Sequence, residues 1–194
     1  MSETGVVKFD FEHTPSELAP FAHMDELNAC RDRLLALGWI GVDANGIGFG
    51  NISVRNRAMK NFYITASGTG RLPGLHAGDF ARVTAYDFER NWLSCEGAVA
   101  SSESLTHAAV YQADESARAV IHCHSAELWR RLLDVVPTTS RGIEYGTPEM
   151  ANEVLRLFSS TDVKRQKIFA MAGHPDGIVA FGATLDEAFA ALQR

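Results

Sequence analysis

Apolar residues recur at helical spacing in five stretches of the chain. In the first stretch, Met24, Leu27 and Leu34 fall on one face, and Gly38 ends the helix. Thr147 followed by Pro148 predicts the start of another helix, because proline is favoured at the first helical position. The predicted helices span residues 24–37, 103–112, 126–133, 148–158 and 185–192.

Short apolar or alternating runs between these helices predict strands. They cover residues 52–55, 62–65, 81–86, 91–94, 119–123, 168–172 and 178–181. Several neighbouring strands are joined by turns too short for a crossover, so those pairs are predicted to be antiparallel. Interleaved strands and helices predict an α/β fold, with a mixed, largely antiparallel sheet covered by helices on both faces.

Two segments lack a clear periodic pattern. Residues 1–22 contain two prolines and predict a loosely held N-terminal arm, which precedes a single domain at residues 23–194. The basic cluster at residues 164–167 predicts a solvated loop.

Composition narrows the class of protein. The 194 residues are 46% hydrophobic and carry a formal net charge of -6, so the basic excess of a dedicated nucleic-acid binder is missing. No apolar run reaches the roughly 20 residues of a membrane span, and the acidic N-terminus does not resemble a secretory signal. Cys30, Cys95 and Cys123 form no CxxC pair, which fits a reducing compartment. We expect a cytoplasmic protein with neither nucleic-acid nor membrane partners.

Histidines at the end of an apolar strand are the first candidates for chemistry. His122 and His124 stand two residues apart, so their side chains share one face of the strand while Cys123 faces the other way. Such a pair either binds a cation or consists of two structural or surface histidines. A zinc-like ion takes three or four ligands. His174, in the turn GHPDG between two predicted strands, is the best-placed third ligand, since its flanking glycines permit close backbone approach.

Glu103 is the leading candidate carboxylate, in the first turn of a predicted helix. The helix dipole favours an acidic residue there in any case; the functional alternative is a metal ligand or proton shuttle. His107 lies four residues on, and either orients Glu103 or is a core histidine.

Small polar residues border three predicted elements, in the segments Gly50–Ser53, Thr65–Gly68 and Ser101-Ser102. Each offers hydroxyls, an amide or free backbone N–H groups, which together suit a phosphate or carboxylate. Ser102 is equally explained as the N-cap of the helix that follows.

Five motifs follow one another along the chain: GNISVR, ITASG, SSESLTHAAVY, AVIHCH and GHPDGIVAFG. Together they resemble the class II aldolase/adducin family, whose enzymes include fuculose-1-phosphate aldolases and ribulose-5-phosphate 4-epimerases. The resemblance runs from about residue 24 to the end. It implies a three-layer α/β/α sandwich and a homo-oligomer, often a tetramer with active sites between subunits.

The resemblance also implies roles for individual residues. His122, His124 and His174 match the zinc ligands, and Glu103 matches the glutamate that contacts the metal and acts as acid/base. The positions that match the family's phosphate site are Asn51, Ser67, Gly68, Ser101 and Ser102. The expected cofactor is Zn²⁺, or another divalent ion (Mn, Co, Fe or Ni), and the expected partner is a small anionic substrate.

The implied activity is a lyase that cleaves a C–C bond of a small phosphorylated sugar or related hydroxy-carbonyl compound through a metal-stabilised enediolate. Epimerisation, dehydration or decarboxylation on the same site, a binding module without turnover, and a non-catalytic adducin-like assembly protein are the alternatives. The chain departs from the family in three places. GHPDG replaces the usual NHG, the segment after His124 is short and lacks a clear equivalent of the family's interface tyrosine, and the C-terminus is shortened.

Overall fold

The computed structural model describes residues 8–56 and 60–194. Eight strands form one mixed sheet in the order β1-β7-β6-β5-β4-β8-β10-β9. Their bounds are β1 Asp10–Thr14, β4 Asn51–Arg55, β5 Phe62–Thr65, β6 Phe80–Asp87, β7 Trp92–Gly97, β8 Ala119–His124, β9 Ile168–Ala170 and β10 Gly177–Gly182. All neighbours in this sheet are antiparallel except β1 and β7, which are parallel. Two short strands, β2 Gly41–Val42 and β3 Gly48–Phe49, pair separately.

The described chain also has six α-helices: α1 Met24–Ala36, α2 Ser104–Ala113, α3 Ala126–Leu132, α4 Pro148–Ser160, α5 Val163–Gln166 and α6 Leu185–Leu192. Two short 3-10 helices, Thr69–Arg71 and Ala77–Asp79, lie between β5 and β6. Helix α4 begins as predicted, with the Thr147 hydroxyl accepting a hydrogen bond from the backbone N–H of Met150. None of the described helices is long and apolar enough to cross a membrane. The three cysteines are buried free thiols.

The sheet separates two hydrophobic cores, which confirms the predicted three-layer α/β/α architecture. In β8, Ile121 and Cys123 belong to the core that α1 and α6 cover, whereas Val120 belongs to the core under α2 and α4. In β10, Ile178 belongs to the core that α1 and α6 cover, and Val179 belongs to the core under α2 and α4. This alternation follows from the two-residue period of a strand.

Three local predictions are wrong. Residues 10–14 are not a loosely held arm but the edge strand β1, whose backbone bonds to β7, with Phe9 buried beside it. Hydrophobic periodicity does not register such pairing, because the side chains of β1 are mostly exposed. The basic cluster at residues 164–167 is solvent-facing as predicted, with Lys164 and Arg165 exposed, but it is not a loop, because most of it lies in α5, where Gln166 bonds to Asp162.

The third error concerns the start of α2. Ser102 does not cap this helix, which begins at Ser104, and Glu103 occupies the N-cap position instead of the first turn. The N–H and hydroxyl of Ser104 both donate to the carbonyl of Ser101, so a separate turn precedes the helix. That turn leaves the Ser102 side chain free for other contacts.

Candidate metal centre

A pocket of about 610 Å³ opens where the start of β4 meets the end of β8. Asn51 pairs with His122 in the ladder between these strands, which brings the two ends together. All nine residues predicted to form the site line this pocket: Asn51, Ser67, Gly68, Ser101, Ser102, Glu103, His122, His124 and His174. The structure thus gathers the whole predicted set, although it comes from five separate parts of the sequence.

The two imidazoles of β8 point into the pocket together. Their Nε2 atoms lie 3.1 Å apart. The Nδ1 atom of His122 lies 3.2 Å from the carbonyl oxygen of Ile178, to which it can donate. A donating Nδ1–H leaves Nε2 unprotonated, and this is the tautomer that presents Nε2 to a metal.

His174 reaches the pair because two glycines leave room around its turn. A Cβ on Gly173 would lie 2.0 Å from the carbonyl oxygen of Ile143, and one on Gly177 would lie 2.7 Å from the His174 ring. The ligand atoms of His122, His124 and His174 all lie within 4.8 Å of one another. The replacement of NHG by GHPDG therefore does not remove His174 from the cluster.

Burial keeps these imidazoles neutral. Loss of hydration lowers the pKa of His124 to about 4 and that of His174 to about 3. The pKa of His122 also lies well below its ordinary value, first through burial and then through its two neighbours in the cluster. A neutral imidazole is the form that coordinates a metal.

The donor set fits a divalent metal. Nitrogen ligands of a tetrahedral zinc ion at 2.0–2.1 Å lie about 3.3 Å apart, close to the 3.1 Å between His122 and His124. Three neutral nitrogens leave a fourth position for substrate or water, as in catalytic sites of this type.

Glu103 is buried beside this cluster, with 2% of its surface exposed. Its Oε2 atom accepts a hydrogen bond of 2.8 Å from the Thr106 hydroxyl, whereas Oε1 is buried and has no hydrogen-bond partner among the described residues. Oε1 lies 3.8 Å from Nε2 of His174. Burial raises the pKa of this carboxyl to about 7, against the opposing effects of Thr106 and Lys8.

His107 does not orient Glu103. Its Nδ1 atom is 2.7 Å from the Ser53 hydroxyl, which is also 2.8 Å from the Tyr111 hydroxyl. Burial lowers the pKa of His107 to about 3, so it is the neutral core histidine of the two alternatives. Thr106, which the sequence did not single out, makes the contact to Glu103 instead.

The polar residues on the other side of the pocket form an amide and hydroxyl surface. The Asn51 amide donates to the Ser101 hydroxyl over 3.0 Å, and its own Oδ1 atom is buried with no partner in the described chain. Gly68 has φ of 79°, in the left-handed region that lets the turn after β5 reverse tightly.

Tyr145 is a pocket residue that the sequence did not identify. Its ring centroid lies 4.3 Å from that of His174, and the Lys8 ammonium lies over the tyrosine ring, 3.7 Å from its centroid. Tyr145 belongs to an irregular segment before α4, where periodicity gives no signal. A single aromatic residue there is indistinguishable from an ordinary loop residue.

Residues 28–194 match the family model described as Class II Aldolase and Adducin N-terminal domain. A comparison with curated proteins finds no significant match.

Solved structures of similar fold include three aldolases. An L-fuculose 1-phosphate aldolase is 21% identical over 92% of this chain and 83% of its own, with a TM-score of 0.67. The L-fuculose-1-phosphate aldolase from Thermus thermophilus is 24% identical over 89% of both chains, with a TM-score of 0.61. A sugar-phosphate aldolase from Thermotoga maritima is 15% identical over 88% of both chains, with a TM-score of 0.62. At these identities the structural likeness concerns the fold, whereas the family match covers most of the sequence, and the chain belongs to the class II aldolase and adducin family.

Proposed function

We propose that this protein is a divalent-metal-dependent lyase that cleaves a C–C bond in a small phosphorylated sugar or a related hydroxy-carbonyl compound. The observation that carries the proposal is the convergence of three neutral imidazoles beside a buried carboxyl group whose Oε1 atom has no partner in the described chain. A metal held by His122, His124 and His174 would supply Lewis-acid stabilisation of the charge that develops on the substrate's carbonyl oxygen.

Glu103 is assigned the proton transfer. Its Oε1 atom is the carboxyl oxygen not engaged by Thr106, and it lies on the His174 side of the pocket. A carboxyl group with a pKa raised to about 7 can both accept and return a proton near neutral pH. Thr106 holds the other oxygen and thereby fixes the direction in which Oε1 points.

The remaining predicted residues are assigned to the anionic end of the substrate. Asn51 and Ser101 are joined by a hydrogen bond, so the amide and the hydroxyl keep a fixed spacing. Ser67, Gly68 and Ser102 line the same pocket. The serine hydroxyls and the Gly68 N–H suit a phosphate, whereas the Ser67 N–H already donates to the Val99 carbonyl. A homo-oligomer, with a tetramer favoured by the family, is part of the same proposal.

The test combines metal analysis with a substrate panel. We expect the protein purified without chelator to retain close to one equivalent of a divalent metal, and to release an aldehyde from a ketose phosphate such as L-fuculose 1-phosphate. A new stereoisomer would indicate epimerisation in place of C–C cleavage. Loss of water would indicate dehydration, and release of carbon dioxide would indicate decarboxylation. Absence of bound metal after reconstitution at neutral pH would refute the metal centre itself.

Glu103→Gln separates metal binding from proton transfer. The amide keeps the shape of the side chain and can still accept a hydrogen bond from Thr106, but it cannot take up a proton at neutral pH. We expect this variant to keep most of its metal and to lose turnover by about 100-fold or more. Turnover at the wild-type rate would show that another group moves the proton.

A further inference from the structure

Helix α1 carries a fully buried cation directly behind the pocket. Arg31 is 2% exposed, and its Nη2 atom donates a hydrogen bond of 2.9 Å to the carbonyl oxygen of Thr69. Its Nη1 atom is buried and has no partner among the described residues. An arginine stays charged in proteins, so a buried positive charge lies beside the Thr69 carbonyl.

This charge is not neutralised by a paired carboxylate. In the described part of the chain, Asp32 and Asp79 act on Arg31 only as nearby charges. A carboxylate oxygen of Asp79 is instead used to accept a hydrogen bond from the backbone N–H of His76. A buried charge without a hydrogen-bonded carboxylate is costly, and apolar side chains of similar volume often replace buried ionic groups without loss of stability. Packing alone therefore does not explain an arginine at this position.

The carbonyl that Arg31 holds belongs to the turn predicted to bind the substrate's anion. Ser67, Gly68, Thr69 and Gly70 all line the pocket, and Gly68 has a left-handed backbone conformation. Turns of this kind present N–H groups to an anion; here the N–H of Ser67 already donates to the Val99 carbonyl, so the N–H groups that follow it in the turn are the ones assigned to the anion. A cation on the other side of the turn strengthens that interaction, because little solvent lies between them to screen it.

A second side chain of α1 holds the same loop without any charge. The Asn28 amide donates to the carbonyl oxygen of Leu75 over 2.8 Å, and its oxygen accepts from the backbone N–H of Leu75 over 3.3 Å. Asn28 and Arg31 therefore anchor the loop between β5 and β6 at two points, one neutral and one cationic. This pair allows anchorage and charge to be tested separately.

We propose that Arg31 is a positioning residue of the anion subsite, which fixes the turn at residues 67–70 through Thr69 and supplies the positive charge that opposes the bound anion. The proposal rests on the proposed function in assuming that the substrate is anionic. The preference for a charged substrate would then depend on Arg31, which does not itself line the pocket.

The experiment measures the affinity for inorganic phosphate by calorimetry in the wild type, Arg31→Gln, Arg31→Lys and Asn28→Ala, at equal metal content. Arg31→Gln keeps a donor for the Thr69 carbonyl and loses the charge, so we expect an affinity about tenfold weaker. Arg31→Lys restores the charge and should recover most of that loss. Asn28→Ala removes the neutral anchor and should change the affinity by less than about threefold. Circular dichroism checks that each variant is folded, and Arg31→Met provides a second uncharged variant if Arg31→Gln is not.

Three outcomes would overturn this assignment: an unchanged affinity in the uncharged Arg31 variants, an equal loss in Asn28→Ala, or a wild-type protein that binds no phosphate at millimolar concentrations. The proposed lyase fails by different observations. Absent aldehyde release with the expected phosphate pattern would refute the lyase and leave the role of Arg31 standing. Turnover of a sugar phosphate at the same rate in the wild type and in Arg31→Gln would support the lyase and refute the role of Arg31.

Discussion

Gly177→Ala is expected to weaken metal binding while leaving the fold in place. The added Cβ would lie 2.7 Å from Cδ2 of the His174 ring and 2.9 Å from the carbonyl oxygen of the same residue. Ordinary contact begins at 3.4 Å, so the ring must retreat by about 0.7 Å. Because the backbone carbonyl obstructs the Cβ as well, rotating the side chain does not relieve the strain.

The size of the effect follows from how little displacement a metal bond tolerates. Metal–ligand distances in functional sites vary by about 0.2 Å, which is well below the shift imposed on His174. Displacing one imidazole without deleting it should weaken zinc binding about 10- to 100-fold. Gly177 does not have a left-handed conformation, so alanine is compatible with its backbone and the variant should fold.

Chelator competition with a chromophoric zinc indicator measures the affinity, and thermal unfolding of the metal-free proteins checks the fold. Gly74→Ala is the matched control, since its Cβ meets nothing within 4 Å. We expect the control to bind zinc as the wild type does. If Gly177→Ala retained wild-type zinc affinity, the position of His174 would not depend on this glycine, and the steric explanation for the GHPDG turn would be wrong.

Two further predictions concern the retention of the metal and the stability of the fold at acid pH. His122→Ala should abolish retention of metal through dialysis, whereas the exposed His76→Ala should not; equal metal content in both would contradict the assigned ligands. The pKa of Glu153 is lowered to about 2, chiefly by its hydrogen bonds from Arg156. An unperturbed glutamate titrates near 4.3, so its stabilising contribution is complete above about pH 5 and is lost as the pH falls toward 2. Since Arg156 is 45% exposed, the expected cost of Glu153→Gln at pH 7 is reduced by screening to about 2 kcal/mol. Urea unfolding should show this difference narrowing below pH 4, and a difference independent of pH would refute its electrostatic origin.

Much of the fold could be predicted because its signals are local and periodic. The pattern of Met24, Leu27 and Leu34 fixes the buried face of α1, and Thr147-Pro148 marks the start of α4. The edge strand β1 could not be found in this way, because its stability comes from backbone pairing with β7 and not from a buried side-chain stripe. Short apolar runs also misplace strand ends by one to three residues, as for the run at 91–94, which forms β7 at Trp92–Gly97.

In the candidate site, too, local sequence patterns predict some of the residues, and tertiary structure determines the others. The spacing of His122 and His124 determines that they share a face once β8 is a strand, and this is independent of tertiary detail. The glycines of its turn made His174 the best-placed third ligand, but its grouping with the pair came from the family resemblance, since β10 pairs with β8 only in the folded sheet. Tyr145 and Arg31 lie outside the five motifs, and Thr106 lies within SSESLTHAAVY without being distinguished from its neighbours there. Their importance depends on which atoms lie nearby in three dimensions.

Strand β8 is hydrogen-bonded on both sides, to β4 and to β10. The amides of such an interior strand open only with the cooperative unfolding of much of the domain, so they should exchange with deuterium far more slowly than those of surrounding turns. His122 and His124 are therefore expected to lie in one of the most slowly exchanging parts of the chain, whereas His174 lies in a turn. Metal release should consequently begin with motion of that turn, and the apoprotein should keep a half-formed binding site ready for reloading.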